Sequence, residues 1–203
     1  MGKLIGIAAA FALFGASAAN ATTLAGDNTS DNFFTAYLST SDSVLGTQID
    51  TGNDWTTTYS FSGQGLSGGV TNYLHVIAGN GGGPEMYVGD FTLSDTGFHF
   101  ANGTQHIATD TTNWRASGAA ASWFAPTGTP QSFDPSTWGT RPNIDAGALF
   151  IWSNPTGVND EAFFSTTITA AAVTHGVPEP GTLSILALGL LGFGALRRRK
   201  AVA

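Results

Sequence analysis

The residues able to do chemistry in this chain are few, and their types narrow what it can be. No Cys occurs in its 203 residues, which removes disulfides, thiol nucleophiles and thiolate metal sites. Gly65-Leu66-Ser67-Gly68-Gly69 has the G-x-S-x-G pattern of a serine hydrolase. That pattern works when a strained strand-to-helix turn lifts the serine toward a histidine and an acid. Val70 leads instead into a strand pattern, so Ser67 reads as a loop serine. Glycosidase chemistry needs two opposed carboxylates, one of them with a raised pKa. Only Glu85 and Glu161 are glutamates of the central region, and its 11 Asp lie mostly among the Gly, Asn and Ser of turns. His75, His99 and His106 fall in strand-like runs, without the short spacing of a metal motif. The string Asp27-Asn28-Thr29-Ser30-Asp31-Asn32 supplies several hard oxygens in what reads as a loop, with Asp50, Asp54 or Asp90 as neighbours. A structural calcium ion is the cofactor such a string suits, with Asp27 and Asp31 as candidate ligands. The expectation is a protein that is not an enzyme; the rival is a secreted hydrolase acting on polysaccharide.

Aromatic rings stack on sugar faces, so the five Trp bear on ligand contact. Trp55 and Trp152 fall in predicted strands and read as core. Trp138 and Arg141, in a proline-rich stretch from Ala125 to Pro142, are the first candidates for ligand contact, and Trp114 beside Arg115 is the next. The same stretch holds four of the eight prolines and reads as a lid whose aromatics cover one end of the domain.

Charge is distributed unevenly. Between Thr22 and Gly176 stand two basic and 13 acidic residues, a balance of −11 against −7 for the whole chain. A surface this acidic repels phosphate backbones, so nucleic acid is excluded as a partner.

These side chains must be carried by strands. Helical periodicity is absent, and short runs of β-branched and aromatic residues recur between Gly, Asn and Asp clusters. Strands are expected at Phe33–Leu38, Val44–Ile49, Trp55–Phe61, Asn72–Ala78, Met86–Leu93, Phe98–Ala101, Gln105–Thr109, Ala148–Trp152 and Phe163–Thr169. Tyr73, His75 and Ile77 share one face of their strand, with Leu74, Val76 and Ala78 on the other. Asn102-Gly103 predicts a two-residue hairpin. The fold class expected is all-β: a jelly-roll-like β-sandwich over residues 22–173.

Both ends depart from that pattern. Residues 1–21 combine Lys3, an apolar run from Leu4 to Phe14 and the cleavage-type sequence Ala19-Asn20-Ala21, which together predict a signal peptide and Sec export. Residues 174–203 begin with Pro178-Glu179-Pro180, which neither helix nor sheet accommodates. An apolar segment, residues 182–196, follows, then the membrane stop Arg197-Arg198-Arg199-Lys200. About 15 apolar residues span roughly 22 Å as a helix, a short crossing that snorkelling arginines lengthen. The basic end is expected on the cytoplasmic side.

From Val177 to Lys200 the chain closely resembles the PEP-CTERM sorting signal of Gram-negative bacteria, with all three parts in order. The resemblance implies that Pro178, Glu179 and Pro180 are recognised by an exosortase, a membrane-embedded cysteine transpeptidase-like enzyme. They would be part of a substrate and not of an active site. The protein would be held in the inner membrane by a single transmembrane helix, processed, and passed to the cell surface or extracellular matrix. There it would contact exopolysaccharide or another glycan, or serve as a structural or adhesive component. A second likeness covers residues 30–93. Ser30-Asp31-Asn32-Phe33-Phe34-Thr35-Ala36-Tyr37, Gly52-Asn53-Asp54-Trp55 and Gly79-Asn80-Gly81-Gly82 are similar to galactose-binding-like jelly-roll modules, which implies a sandwich. Ser39-Thr40-Ser41-Asp42 stands where that family usually has Asn-Gly.

Overall fold

The computed structural model describes residues 21–118, 122–153 and 161–172. The predicted signal peptide (up to residue 20), the Pro178-Glu179-Pro180 motif, the apolar segment 182–196 and the basic cluster 197–200 lie outside the described residues. Among the described residues no helix is long and apolar enough to cross a membrane.

The described residues form twelve strands in chain order: β1 Thr23–Asp31, β2 Phe33–Ser39, β3 Thr47–Gly52, β4 Tyr59–Gly65, β5 Asn72–Gly79, β6 Met86–Leu93, β7 Phe98–Phe100, β8 His106–Ala108, β9 Arg115–Gly118, β10 Gln131–Phe133, β11 Phe150–Trp152 and β12 Glu161–Ala170. They form two antiparallel sheets. Sheet A runs β10-β11-β6-β1-β4, with β8 also on β6; sheet B runs β3-β2-β5-β12-β7, with β9 also on β12. The chain passes repeatedly from one sheet to the other, so neither sheet is a simple meander.

Period-two patterning decides the core. Leu74, Val76 and Ala78 of β5 point inward with Ala162, Phe164 and Ile168 of β12, and meet Leu24, Tyr87, Phe91 and Leu93 of sheet A. The expected split of β5 into two faces holds, since Tyr73 and His75 stack on the opposite side. Burying a large apolar side chain is worth about 1.5–3 kcal/mol, so this aromatic-rich layer dominates stability. Phe91 lies over two glycines: a Cβ at Gly26 would sit 2.3 Å from its ring, and one at Gly89 2.7 Å. Glycine in these strands makes room for a ring.

Both outer sheet faces are partly covered. On sheet A, Met86 and Val88 point away from the main core and pack with Trp138, Phe150 and Ile144. The proline-rich stretch is therefore a cover, as its composition suggests, but it lies over an outer face and contains β10 and a 3-10 turn at Pro135–Thr137. On sheet B, Trp123 and Phe124 pack on Phe163.

Several elements differ from expectation. Asp27 and Asp31 belong to no loop: they lie on β1, between β4 and β6. Its polar sequence hides it, because Asp, Asn, Gly and Ser are poor strand formers and only cross-strand partners compensate. Asn28 is fully buried, donates to Asp50 Oδ2 at 2.8 Å and accepts from Tyr87 Oη at 3.2 Å. The expected strand Val44–Ile49 starts later, at Thr47, and Val44 is exposed. Trp55–Phe61 likewise starts at Tyr59, leaving Trp55 in a turn. Asn102-Gly103 does form a tight turn, with Phe100 N donating to Thr104 O at 2.9 Å. It is no hairpin, however: β7 pairs with β12 in sheet B and β8 with β6 in sheet A, so the turn is a corner between sheets.

Candidate functional site

The candidate ligand-contact residues are not where ligand contact needs them. Trp138 is 6% exposed, stacks on Phe150 at 5.5 Å and donates its indole N–H to Asp31 Oδ2 at 2.9 Å. Trp114 is 2% exposed, in the main core, with its indole N–H on Ala108 O at 3.1 Å. Both are corrected from surface to interior: Trp138 packs under the proline-rich cover and Trp114 between the two sheets, where the rings gain more apolar contact than solvent offers. Arg141 is half-buried: its guanidinium lies 5.4 Å from the centroid of Trp55, a cation–π distance, and donates to the backbone oxygens of Trp55 and Trp138. Trp55, expected inside, is the exposed tryptophan of the pair.

Asp27 and Asp31 do not form a calcium site together. Four residues apart on one strand, their Cα atoms are separated by about 13 Å at 3.3 Å per residue. Their carboxylates are turned to separate partners, Asp27 to the Ser60 hydroxyl and Asp31 to the Trp138 indole. Ca2+ bonds of about 2.3–2.6 Å cannot bridge that gap.

A different cluster stands on the outer face of sheet A. Asp90 of β6 and His106 of β8 approach to 2.5 Å, Oδ1 to Nε2. The loop leading to β11 brings Asp145, whose backbone N–H donates to Asp90 Oδ2 at 2.9 Å. One ligand atom from each of Asp90, His106 and Asp145 lies within 4.8 Å of the other two. Sequence spacing gave no hint of this, since the three residues come from three separate segments. Beside them opens a cleft of about 180 Å3, lined by Val88, Pro135, Arg141, Ile144, Asp145 and Phe150. The other two histidines among the described residues do not join: His75 bonds to Ser165 on sheet B, and His99 bonds to Phe100 O.

On the outer face of sheet B, His75 is fully buried. Nε2 faces the Ser41 carbonyl at 3.2 Å, and that acceptor fixes the ring proton on Nε2. Nδ1 must then accept from Ser165 Oγ at 3.0 Å, and Ser165 Oγ in turn accepts from Arg115 at 3.1 Å. Arg115 makes a two-pronged ion pair with Asp42, and Trp123 lies 4.5 Å from the His75 ring. With His75 and Ser165 both at 0% exposure, the network is a buried support for the β2–β3 loop and not a nucleophile open to substrate. Burial holds the His75 pKa below its ordinary value, and the nearby Arg115 charge adds to this. The Ser41 carbonyl and Asp42 oppose it. A histidine kept neutral in the folded state gives stability that is present above its unfolded pKa, about 6.5, and lost as pH falls from there toward the folded pKa. Thermal melts should therefore show Tm falling as pH drops below 6.5, with the fall reduced in His75→Gln. An equal pH dependence in the two proteins would exclude His75 as its source.

A larger cavity, about 490 Å3, lies between the β2–β3 loop and the ends of β4 and β5 and is lined by Leu38, Val44, Ile49, Gln64, Ser67 and Asn72 among others. None of the described residues that line it is titratable. Ser67 sits there in a loop, its backbone N–H donating to Asn72 Oδ1 at 3.0 Å, and a strand follows. The loop reading of the Gly-rich motif stands. Glu85 and Glu161 stand at strand beginnings in different sheets, next to β6 and in β12.

Two antiparallel sheets around an aromatic core, with a polar cluster on the outer face of each, define an all-β, two-sheet protein. Its sorting class is set by the other end of the chain: residues 176–200 match the PEP-CTERM protein-sorting motif. The chain thus carries an exosortase-directed motif, the mark of an exported protein. No curated protein and no solved structure matches it.

Proposed function

We infer that this chain is a cell-envelope or extracellular-matrix component. It is exported through Sec, held in the inner membrane by segment 182–196, and released or transferred after exosortase processing at Pro178-Glu179-Pro180. Its cargo is a non-enzymatic, jelly-roll-like β-sandwich displayed outside the inner membrane. The observation that carries this reading is the match of residues 176–200 to the sorting motif. The order of the parts supports it physically: a proline motif, an apolar segment and a cationic stop allow temporary retention with a processing point outside the bilayer. The test is the mass of the protein recovered from membrane and medium, in the producing organism with and without its exosortase. Loss of the C-terminal segment only where the enzyme is present is the expected result. The same C-terminus in both strains would refute the reading.

Within that role the domain contacts glycan through Trp55, supported by Arg141. Trp55 is exposed and backed by a cation, which leaves its ring available for a sugar face. Trp55→Ala should lower retention on matrix polysaccharide severalfold while leaving the melting curve near that of wild type. Unchanged retention would remove Trp55 from any glycan surface.

A further inference from the structure

We propose that Asp90, His106 and Asp145 bind a divalent transition-metal cation of the Zn2+ type on the outer face of sheet A. The donors are two carboxylate oxygens and one imidazole nitrogen, all within 4.8 Å of one another. Zn2+ takes such donors at about 2.0–2.2 Å, and tetrahedral angles place them roughly 3.4 Å apart. His106 Nε2 and Asp90 Oδ1, now at 2.5 Å, need to part by about 1 Å, a side-chain rotation. His106, with its side chain 49% exposed, has the room to make it. The proton that the imidazole shares with Asp90 then moves to Nδ1 or to solvent, which leaves Nε2 as the ligand. Three protein ligands leave the fourth position to water.

Charge gives an independent reason to place a cation here. The β1–β6 register sets Asp27 directly opposite Asp90, and directly opposed positions on one face are roughly 5 Å apart, where like charges repel. With Asp145 this face gathers three carboxylates. Among the described residues the only Lys or Arg are Arg115 and Arg141, and both are engaged elsewhere. Arg115 is paired with Asp42, and Arg141 lies over Trp55. Two residues along β1, and so on the same face as Asp27, Thr29 is fully buried and its hydroxyl has no hydrogen-bond partner among the described residues. The imidazole selects the metal class: Ca2+ takes six to eight oxygens, whereas a nitrogen with two carboxylates suits Zn2+ and its neighbours. An ion there fastens the loop carrying Asp145, and with it the proline-rich cover, to β6 and β8.

The test uses the full chain in detergent without a polyhistidine tag. Titration with Co2+ should develop visible ligand-field absorption. Zn2+ at a hundredfold excess over its Kd should raise Tm by roughly 5–10 °C, and Ca2+ should not. Both responses should vanish in His106→Gln and in Asp145→Asn, each of which should melt like wild type in chelator. No Co2+ band and no Zn2+ shift in wild type would overturn the proposal. So would responses that persist in both variants, because the ion would then be held elsewhere. A Ca2+ shift as large as that of Zn2+ and retained in His106→Gln would replace it with an oxygen-only site.

Discussion

Trp138→Ala is expected to destabilise the domain by about 3–5 kcal/mol, the range for emptying a buried aromatic site. Three contacts disappear together. The ring loses its parallel stacking on Phe150, the cover loses its largest contact with Met86 and Val88, and Asp31 Oδ2 loses its indole donor. Asp31 is itself buried, so its carboxylate is left without that compensation in a poorly solvated place. Trp138→Phe separates the terms, since it keeps most of the stacking and deletes the donor, and should cost less than half as much. Urea denaturation of the three proteins measures this. Equal stability of wild type and Trp138→Ala would mean that the cover adds nothing to folding. The result also governs how binding data are read, because weaker glycan retention in Trp138→Ala would report a lost cover and not a lost sugar contact.

Gly46→Ala should cost roughly 2–4 kcal/mol, far beyond the usual effect of adding a methyl group at a surface turn. Gly46 has φ +86°, where L side chains are strained. A Cβ there would lie 2.2 Å from Leu38 O and 2.8 Å from Ser39 Cα, backbone atoms held in β2 that cannot swing aside. Gly103 is the internal control: its φ of +79° is similar, but nothing lies within 4 Å of a built Cβ. Gly103→Ala should therefore pay only the backbone term, about 1–2 kcal/mol. Chemical denaturation of both variants decides the matter, and equal losses would show that the close approach to Leu38 is unimportant. The consequence extends inward, since the loop ending at Gly46 presents Ser41 to His75 and Asp42 to Arg115.

Residues with strong side-chain preferences could be read in advance. Met86–Leu93 has the bounds expected of it, and β5 shows its two faces in the alternation of Leu74, Val76 and Ala78 with Tyr73, His75 and Ile77. Apolar and β-branched side chains carry their own reason to be in a strand. β1 could not be read that way, because Asp27, Asn28, Ser30 and Asp31 are strand residues only when Ser60, Asp50, Tyr87, Met86 and Trp138 supply their hydrogen bonds. The interchange of Trp55 and Trp138 has the same origin. A tryptophan is buried by what it folds against: the cover carries Trp138 onto Met86, Val88 and Phe150, and Trp55 stays outside beside Arg141.

By itself, the order of amino acids determined the all-β class, the acidic character of the domain and the sorting motif at residues 176–200. Each is a property of composition or of adjacent residues, so no folding is needed to express it. The tertiary structure alone decided which polar groups meet. Asp90, His106 and Asp145 are joined by sheet register and a returning loop, and His75, Ser165, Arg115 and Asp42 by packing across sheet B. Contacts between residues tens of positions apart depend on how the strands pair, and linear spacing does not encode that pairing.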